Sequence, residues 1–188
     1  TKAEKVSENA DSMYLGFVKM LQANIYAATH NDDEALKYYR EASGIYSKLS
    51  LPYYRNVAQW NLAKTLYNVG SVAEADSILA SIIALQDVDV RIKAYATADR
   101  AFFNTSQVFS DFHNAVSLYE SVVRDYSNTY MTNKDYWAYA YSLSKVGRKE
   151  EAKSLVSELS QRDTSLTSYY WRYMIERAED NHHEALIM

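Results

Sequence analysis

Cysteine is absent from this 188-residue chain, proline occurs once and glycine four times. The first absence excludes disulfides, thiolate metal sites and a cysteine nucleophile, and it leaves the compartment open, because reducing and oxidising surroundings both accept such a chain. The scarcity of Gly and Pro argues against an all-β fold, whose turns consume both. Charge of one sign is not in excess: 20 Lys and Arg face 24 Asp and Glu, for a net −4. The basic residues are scattered singly, so the block that phosphate neutralisation requires is missing and nucleic acid is not an expected partner. No window approaches the roughly 18–20 apolar residues of a membrane span, and no charged, apolar, then small-residue signal opens the chain. No direct membrane contact is expected of this region. It starts at Thr1 and stops at Met188 within a helical pattern, so the expectation is a piece of a longer protein.

What is present is 48% hydrophobic and 23% charged, enough to bury a continuous core. Bulky side chains are plentiful, with 18 Tyr, 3 Trp and 5 Phe to fill gaps between helices or to offer amphipathic surface to a partner.

Five segments share a turn-like entry, usually an acidic residue, then Ala and an apolar, Tyr-rich run: Asn31-Asp-Asp-Glu-Ala-Leu-Lys-Tyr-Tyr, Ser71-Val-Ala-Glu-Ala-Asp-Ser-Ile-Leu, Asp111-Phe-His-Asn-Ala-Val-Ser-Leu-Tyr, Arg148-Lys-Glu-Glu-Ala-Lys-Ser-Leu-Val and Asn181-His-His-Glu-Ala-Leu-Ile-Met. Their alanines, Ala35, Ala75, Ala115, Ala152 and Ala185, are spaced 40, 40, 37 and 33 apart by subtraction of neighbours. That regularity indicates repeats slightly longer than the roughly 34 residues of a minimal two-helix unit. Within each, apolar residues three and four apart mark two helices. In the first repeat Phe17, Met20, Leu21 and Ile25 mark one, and Leu36, Tyr39, Ile45 and Leu49 its partner. The polar link His30-Asn31-Asp32 suits a tight turn, with Asn or Asp capping the next helix. Gly70 and Gly147 stand at the equivalent point of the second and fourth repeats, where left-handed backbone ends a helix. Pro52 fits the first turn of the helix that opens a new repeat.

With these residues in view, the chain resembles the tetratricopeptide repeat family, which places a small residue and then an aromatic along its first helix and Ala, a bulky residue and Ala along its second. Ala23, Tyr26, Ala35, Tyr39 and Ala42 match in the first repeat. Leu62, Ala63, Gly70 and Ala75 match in the second, and Ala140, Leu143, Gly147 and Ala152 in the fourth. The third departs, with Phe102-Phe103 where the family has a large and then a small residue. The resemblance covers about residues 13–188. It implies an all-α fold, a right-handed α-solenoid of about five antiparallel helix-hairpin repeats at about 13–50, 52–86, 88–126, 132–160 and, truncated, 165–188, in a single domain over 1–188. Physics gives the same pattern a reason. Small residues let helices approach, aromatics fill the space beside the contact, and stacked hairpins bury a core that none could bury alone.

The resemblance also implies a concave surface lined by the first helices. Projected onto this chain, the groove-facing pattern selects Asn24, Trp60, Lys64, Tyr67, Asn68, Arg100, Asn104, Gln107, Trp137, Tyr141, Lys145, Tyr170, Met174 and Arg177. Aromatics with Asn and Arg can grip an extended peptide by stacking and by bonding its main chain, and the cations favour an acidic protein or peptide partner. The competing reading is a row of ordinary solvated surface cations. The carboxylate clamp of chaperone-binding family members is incomplete: Asn24 and Asn61 fit it, but Met20, Thr97 and Ala101 stand where it needs cations.

No catalytic constellation is expected. His182-His183-Glu184 lacks a second ligand pair with useful spacing, and adjacent helical residues point about 100° apart. His30 and His113 read as turn residues. Asp32-Asp33 and Glu150-Glu151 lie in first turns, where the helix dipole accounts for them. No nucleophile elbow, phosphate loop, dinucleotide fingerprint or zinc-protease helix is present. The reading is therefore an interaction scaffold or sensor input module, not an enzyme, with no cofactor and no metal. The alternative is self-assembly through the apolar C-terminal end, Ala185-Leu186-Ile187-Met188. Ala-Leu-Lys-Tyr-Tyr, Ala-Asp-Ser-Ile-Leu and the closing Tyr-Tyr-Trp-Arg-Tyr segment are similar to repeat regions of envelope proteins in Bacteroidetes-type bacteria. This likeness implies a periplasmic or cell-envelope location, with the cytoplasm as the alternative.

Overall fold

Four near-identical corners organise the chain. In the computed structural model, which describes residues 2–179, helices α1 (Lys2–Ala28), α2 (Asp32–Lys48), α3 (Pro52–Asn68) and α4 (Val72–Ala84) follow one another through links at 29–31, 49–51 and 69–71. The same three-residue link recurs at 146–148, between α7 (Asn133–Lys145) and α8 (Lys149–Arg162). The middle residue of each is left-handed: His30, Ser50, Gly70 and Gly147 have φ of 57°, 55°, 84° and 85°. The amides of Asn31, Leu51, Ser71 and Arg148 donate to the carbonyls of Tyr26, Tyr46, Leu66 and Leu143, each at 2.9 Å. One step earlier, His30, Ser50, Gly70 and Gly147 donate to Ala27, Ser47, Tyr67 and Ser144 at 3.0 to 3.2 Å. This is the paired-bond helix ending in which a left-handed residue satisfies orphan carbonyls. Asn31 makes no side-chain cap, contrary to the expectation.

The other elements are α5 (Val90–Asn104), α6 (Phe112–Asp125), a short 3-10 turn (Asn128–Tyr130) and α9 (Leu166–Glu179). Of the described residues, 82% are helical and none is in a strand, so the fold is all-α. The corner between α5 and α6 differs. Residues 105–111 form a longer link, in which Ser110 takes the left-handed φ of 48° and the Asp111 amide donates to the Asn104 carbonyl at 3.0 Å.

The chain packs as two compact units, Thr1–Ala96 and Thr97–Met188, whose boundary falls inside α5, where the sequence led to the expectation of one domain. In the first unit α1 packs on α2, α2 on α3 and α3 on α4. Ala23, Ala35, Ala42, Ala58, Ala63 and Ala75 are wholly buried, so backbones meet across methyl groups. Tyr46 with Ala42 and Ala58 centres the junction of α2 and α3, and Met20 of α1 packs against them. In the second unit α7 is the hub, in contact with α6, α8 and α9. Val116, Leu143 and Ala152 form one cluster around it, and Trp137, Ala140, Leu159 and Ile175 another. Each large aliphatic in these clusters contributes about 1.5–3 kcal/mol by leaving water.

Ala115 and Ala152 are wholly buried, as are Ala35 and Ala75, so the repeated alanine of each described segment lies in the core. Ala185, with the rest of the fifth segment including His182, His183 and Glu184, lies outside the described residues. Phe103 is buried, and Phe102 packs edge-on to Trp171 at 6.4 Å under the ammonium of Lys134. Phe102 thus packs on the second unit's core, and Phe103 is buried where the family pattern has a small residue.

Two departures from the apolar pattern concern α1. It runs from Lys2, so the segment preceding residue 13 is a continuation of that helix. The face it turns to α2 carries Gly16, Met20 and Ala23, whereas Phe17, Leu21 and Ile25 are 52%, 45% and 61% exposed.

Candidate functional site

α7 is set in place at both ends. Thr132 and Asp135 form a reciprocal cap at its start: the Asp135 carboxylate accepts from the Thr132 amide at 2.8 Å, and the Thr132 hydroxyl accepts from the Asp135 amide at 3.4 Å. At its end stands the Gly147 corner. Trp137 anchors the middle, with no exposed surface, and its indole N–H donates to Asp163 Oδ2 at 2.8 Å. That bond holds the Asp163 carboxyl below the usual range, aided by bonds from Ser165. Trp137 therefore has no surface left for a ligand, and it serves as the peg that locks α7 to the end of α8.

One and two turns beyond this peg, Tyr141 and Lys145 face α9. With Met174, Arg177 and Ala178 they line a cleft of about 200 Å³. Further aromatic rings pack behind Tyr141, the one aromatic residue in this lining. Phe112 meets Tyr141 edge-on at 5.5 Å, Trp171 meets Tyr141 at 5.8 Å, and Tyr170 meets Trp171 edge-on at 5.8 Å. Lys145 Nζ lies 5.6 Å and 5.9 Å from the Phe112 and Tyr141 ring centres. The Arg177 guanidinium lies 5.8 Å from the ring centre of Tyr173 and donates to its hydroxyl at 3.4 Å. Among the described residues neither Lys145 nor Arg177 is matched by a carboxylate. By contrast Lys19 pairs with Glu41 at 2.8 Å, Arg40 with Glu74 at 3.3 Å, and Arg148 with both Glu120 and Glu151. Burial pushes the Tyr141 phenol up; Tyr170 acts in the same direction and Arg177 opposes. Tyr141 thus stays a neutral donor at physiological pH, beside the Lys145 and Arg177 cations.

Tyr141, Lys145, Met174 and Arg177 of the groove-facing set meet in this cleft, and Tyr170 is exposed beside Trp171. Others in the second unit do not. Asn104 is 5% exposed; its amide donates to the Arg100 carbonyl at 2.8 Å and its oxygen accepts from Asn114 at 3.1 Å, so it ties α5 to α6. Arg100 is half-buried on α5, and Gln107 is exposed in the link that follows.

In the first unit, Trp60 stacks on Tyr95 with ring centres 5.3 Å apart and planes 13° from parallel, and Lys64 sits 4.8 Å from the Trp60 ring. Tyr67 is half-buried, which raises its phenol, and Asn68 is exposed. Asn24 accepts from the hydroxyl of buried Tyr39 at 2.7 Å, a bond that joins α1 to α2.

Sequence reasoning missed Phe112 and Trp171, which pack against Tyr141, and Tyr95, which backs Trp60. Trp171 adjoins Tyr170 and precedes Met174 by three, so helical spacing from Met174 was the available signal. Among the described residues no group of three or more His, Asp or Glu side chains could hold a metal ion, and no helix is long and apolar enough to cross a membrane.

No family model, no curated protein and no solved structure matches the chain.

Proposed function

We propose that this chain is a tetratricopeptide-like, right-handed α-solenoid that acts as a protein-interaction scaffold or sensor input module, and that it binds a peptide or protein partner on a concave groove. The observation that carries this reading is the α7–α9 cleft, where two cations that have no carboxylate partner among the described residues flank a phenol packed against Phe112 and Trp171. Such a lining grips rather than reacts: it offers stacking surface, a neutral hydroxyl donor and positive charge, which together suit an acidic side chain or a terminal carboxylate on an extended peptide. The recurrent corners and the buried alanines at matching positions support the repeat reading.

The test is an immobilised peptide array of systematically varied net charge, probed with the protein and with a Lys145→Glu, Arg177→Glu variant. Both side chains are exposed, so the variant should retain its circular dichroism spectrum. The reading expects acidic peptides to be favoured and that preference to be lost in the variant. Retention of no peptide, or an unchanged preference in the variant, would remove the cleft from consideration.

A further inference from the structure

The exposed side of α1 is built like the inside of an interface. Tyr14, Phe17, Leu21 and Ile25 are 69%, 52%, 45% and 61% exposed, and at 100° per residue they fall on one narrow stripe, well rotated from the Gly16, Met20, Ala23 face that meets α2. The stripe carries no charge. Between Asp11 and Asp32 the only charged side chain is Lys19, in a chain that is 23% charged, and Lys19 is turned to α2, where it pairs with Glu41 at 2.8 Å and covers the Tyr38 ring. A solvated helix face carries charges, whereas depletion of charge with enrichment in aromatics marks the core of a protein interface.

We infer that this stripe is the contact surface of a homodimer, in which α1 of one copy lies antiparallel on α1 of another. Two properties favour a second copy. The stripe is self-complementary: about a twofold axis between Phe17 and Leu21, Tyr14 meets Ile25 of the other copy and Phe17 meets Leu21, so an aromatic faces a branched aliphatic at every step. Its size also fits. Four side chains at these exposures present roughly 500 Å² of apolar surface per copy, so a pair covers about 1,000 Å², the lower limit for a specific interface. An area at that limit implies a reversible monomer–dimer equilibrium. The inference stands apart from peptide binding, since it rests on the first unit and the cleft belongs to the second.

Sedimentation across a concentration series is the direct measurement. The mass should double with rising concentration, and a Phe17→Glu, Leu21→Glu variant with unchanged circular dichroism should stay monomeric. Because the chain lacks cysteine, Tyr14→Cys and Ile25→Cys variants give a second readout that leaves the helix intact. Mixed and oxidised, they should cross-link more than either does alone, since in an antiparallel pair each residue is about 16 Å from its own counterpart. A protein monomeric at every concentration overturns the inference. So does a dimer that survives the double glutamate variant, cross-linking confined to like residues, or a monomer that uses the same stripe to bind uncharged phospholipid vesicles.

Discussion

Gly16→Ala and Gly44→Ala make the same chemical change inside neighbouring helices and should move stability in opposite directions. In a helix interior alanine is favoured over glycine by about 1 kcal/mol, chiefly because glycine loses more backbone freedom on folding. At Gly44 nothing lies within 4 Å of the added Cβ, so the variant should gain that full amount. At Gly16 the new carbon falls 2.8 Å from Cε1 and 3.0 Å from Cζ of Tyr46, and 3.2 Å from Cγ2 of Ile45. Tyr46 has little freedom to retreat: it is 3% exposed, and its ring stacks on Tyr54 at 5.3 Å. Overpacking of this kind costs about 1–3 kcal/mol, which outweighs the helix gain and leaves Gly16→Ala destabilised by about 1 kcal/mol. The two variants should therefore differ by about 2 kcal/mol in urea unfolding followed by circular dichroism. If Gly16→Ala is as stable as Gly44→Ala, α1 and α2 are not held in close contact at Gly16, and a small residue is not required there.

Tyr39→Phe should cost about 1 kcal/mol at neutral pH by removing the bond to Asn24. It should also flatten the alkaline limb of the stability curve: burial pushes the Tyr39 phenol from 10.0 up to about 12, so between those values only the folded state keeps the proton, and stability falls as pH rises across that window, as melting curves from pH 9 to 12 would show. Trp137→Phe should destabilise by about 2–3 kcal/mol in urea titration, since it empties part of a fully buried site and strips Asp163 of its indole donor. Arg148→Met should cost at most about 1 kcal/mol, because Arg148, Glu120 and Glu151 are all partly exposed, and the loss should shrink in high salt, measured by repeating the melts with added sodium chloride.

Helices are legible in the sequence because periodicity is a property of spacing, and the recurring alanines Ala35, Ala75, Ala115 and Ala152 are all buried. What covers an apolar position is not legible. Phe17, Leu21 and Ile25 carry a helical period as clear as that of Met20 and Ala23, yet only the packing of α2 decides which set is enclosed. The groove residues divide on the same ground. Tyr141, Lys145 and Arg177 line one cleft, whereas Trp137 shares the helix and the period of Tyr141 and Lys145 but is drawn inward by Asp163, and Asn104 by Asn114. Those partners lie 26 and 10 residues away in the chain, beyond the reach of any local spacing rule.

The corners at His30, Ser50, Gly70 and Gly147 are closed by amides and carbonyls, and so they are indifferent to most of the side chains that pass through them. A turn written in the main chain can change its letters freely, at the cost of a modest left-handed penalty where glycine is absent. The same indifference makes each corner a neutral splice point. A further pair of helices could be inserted at one of them, or a pair removed, with the geometry of the junction supplied by the backbone.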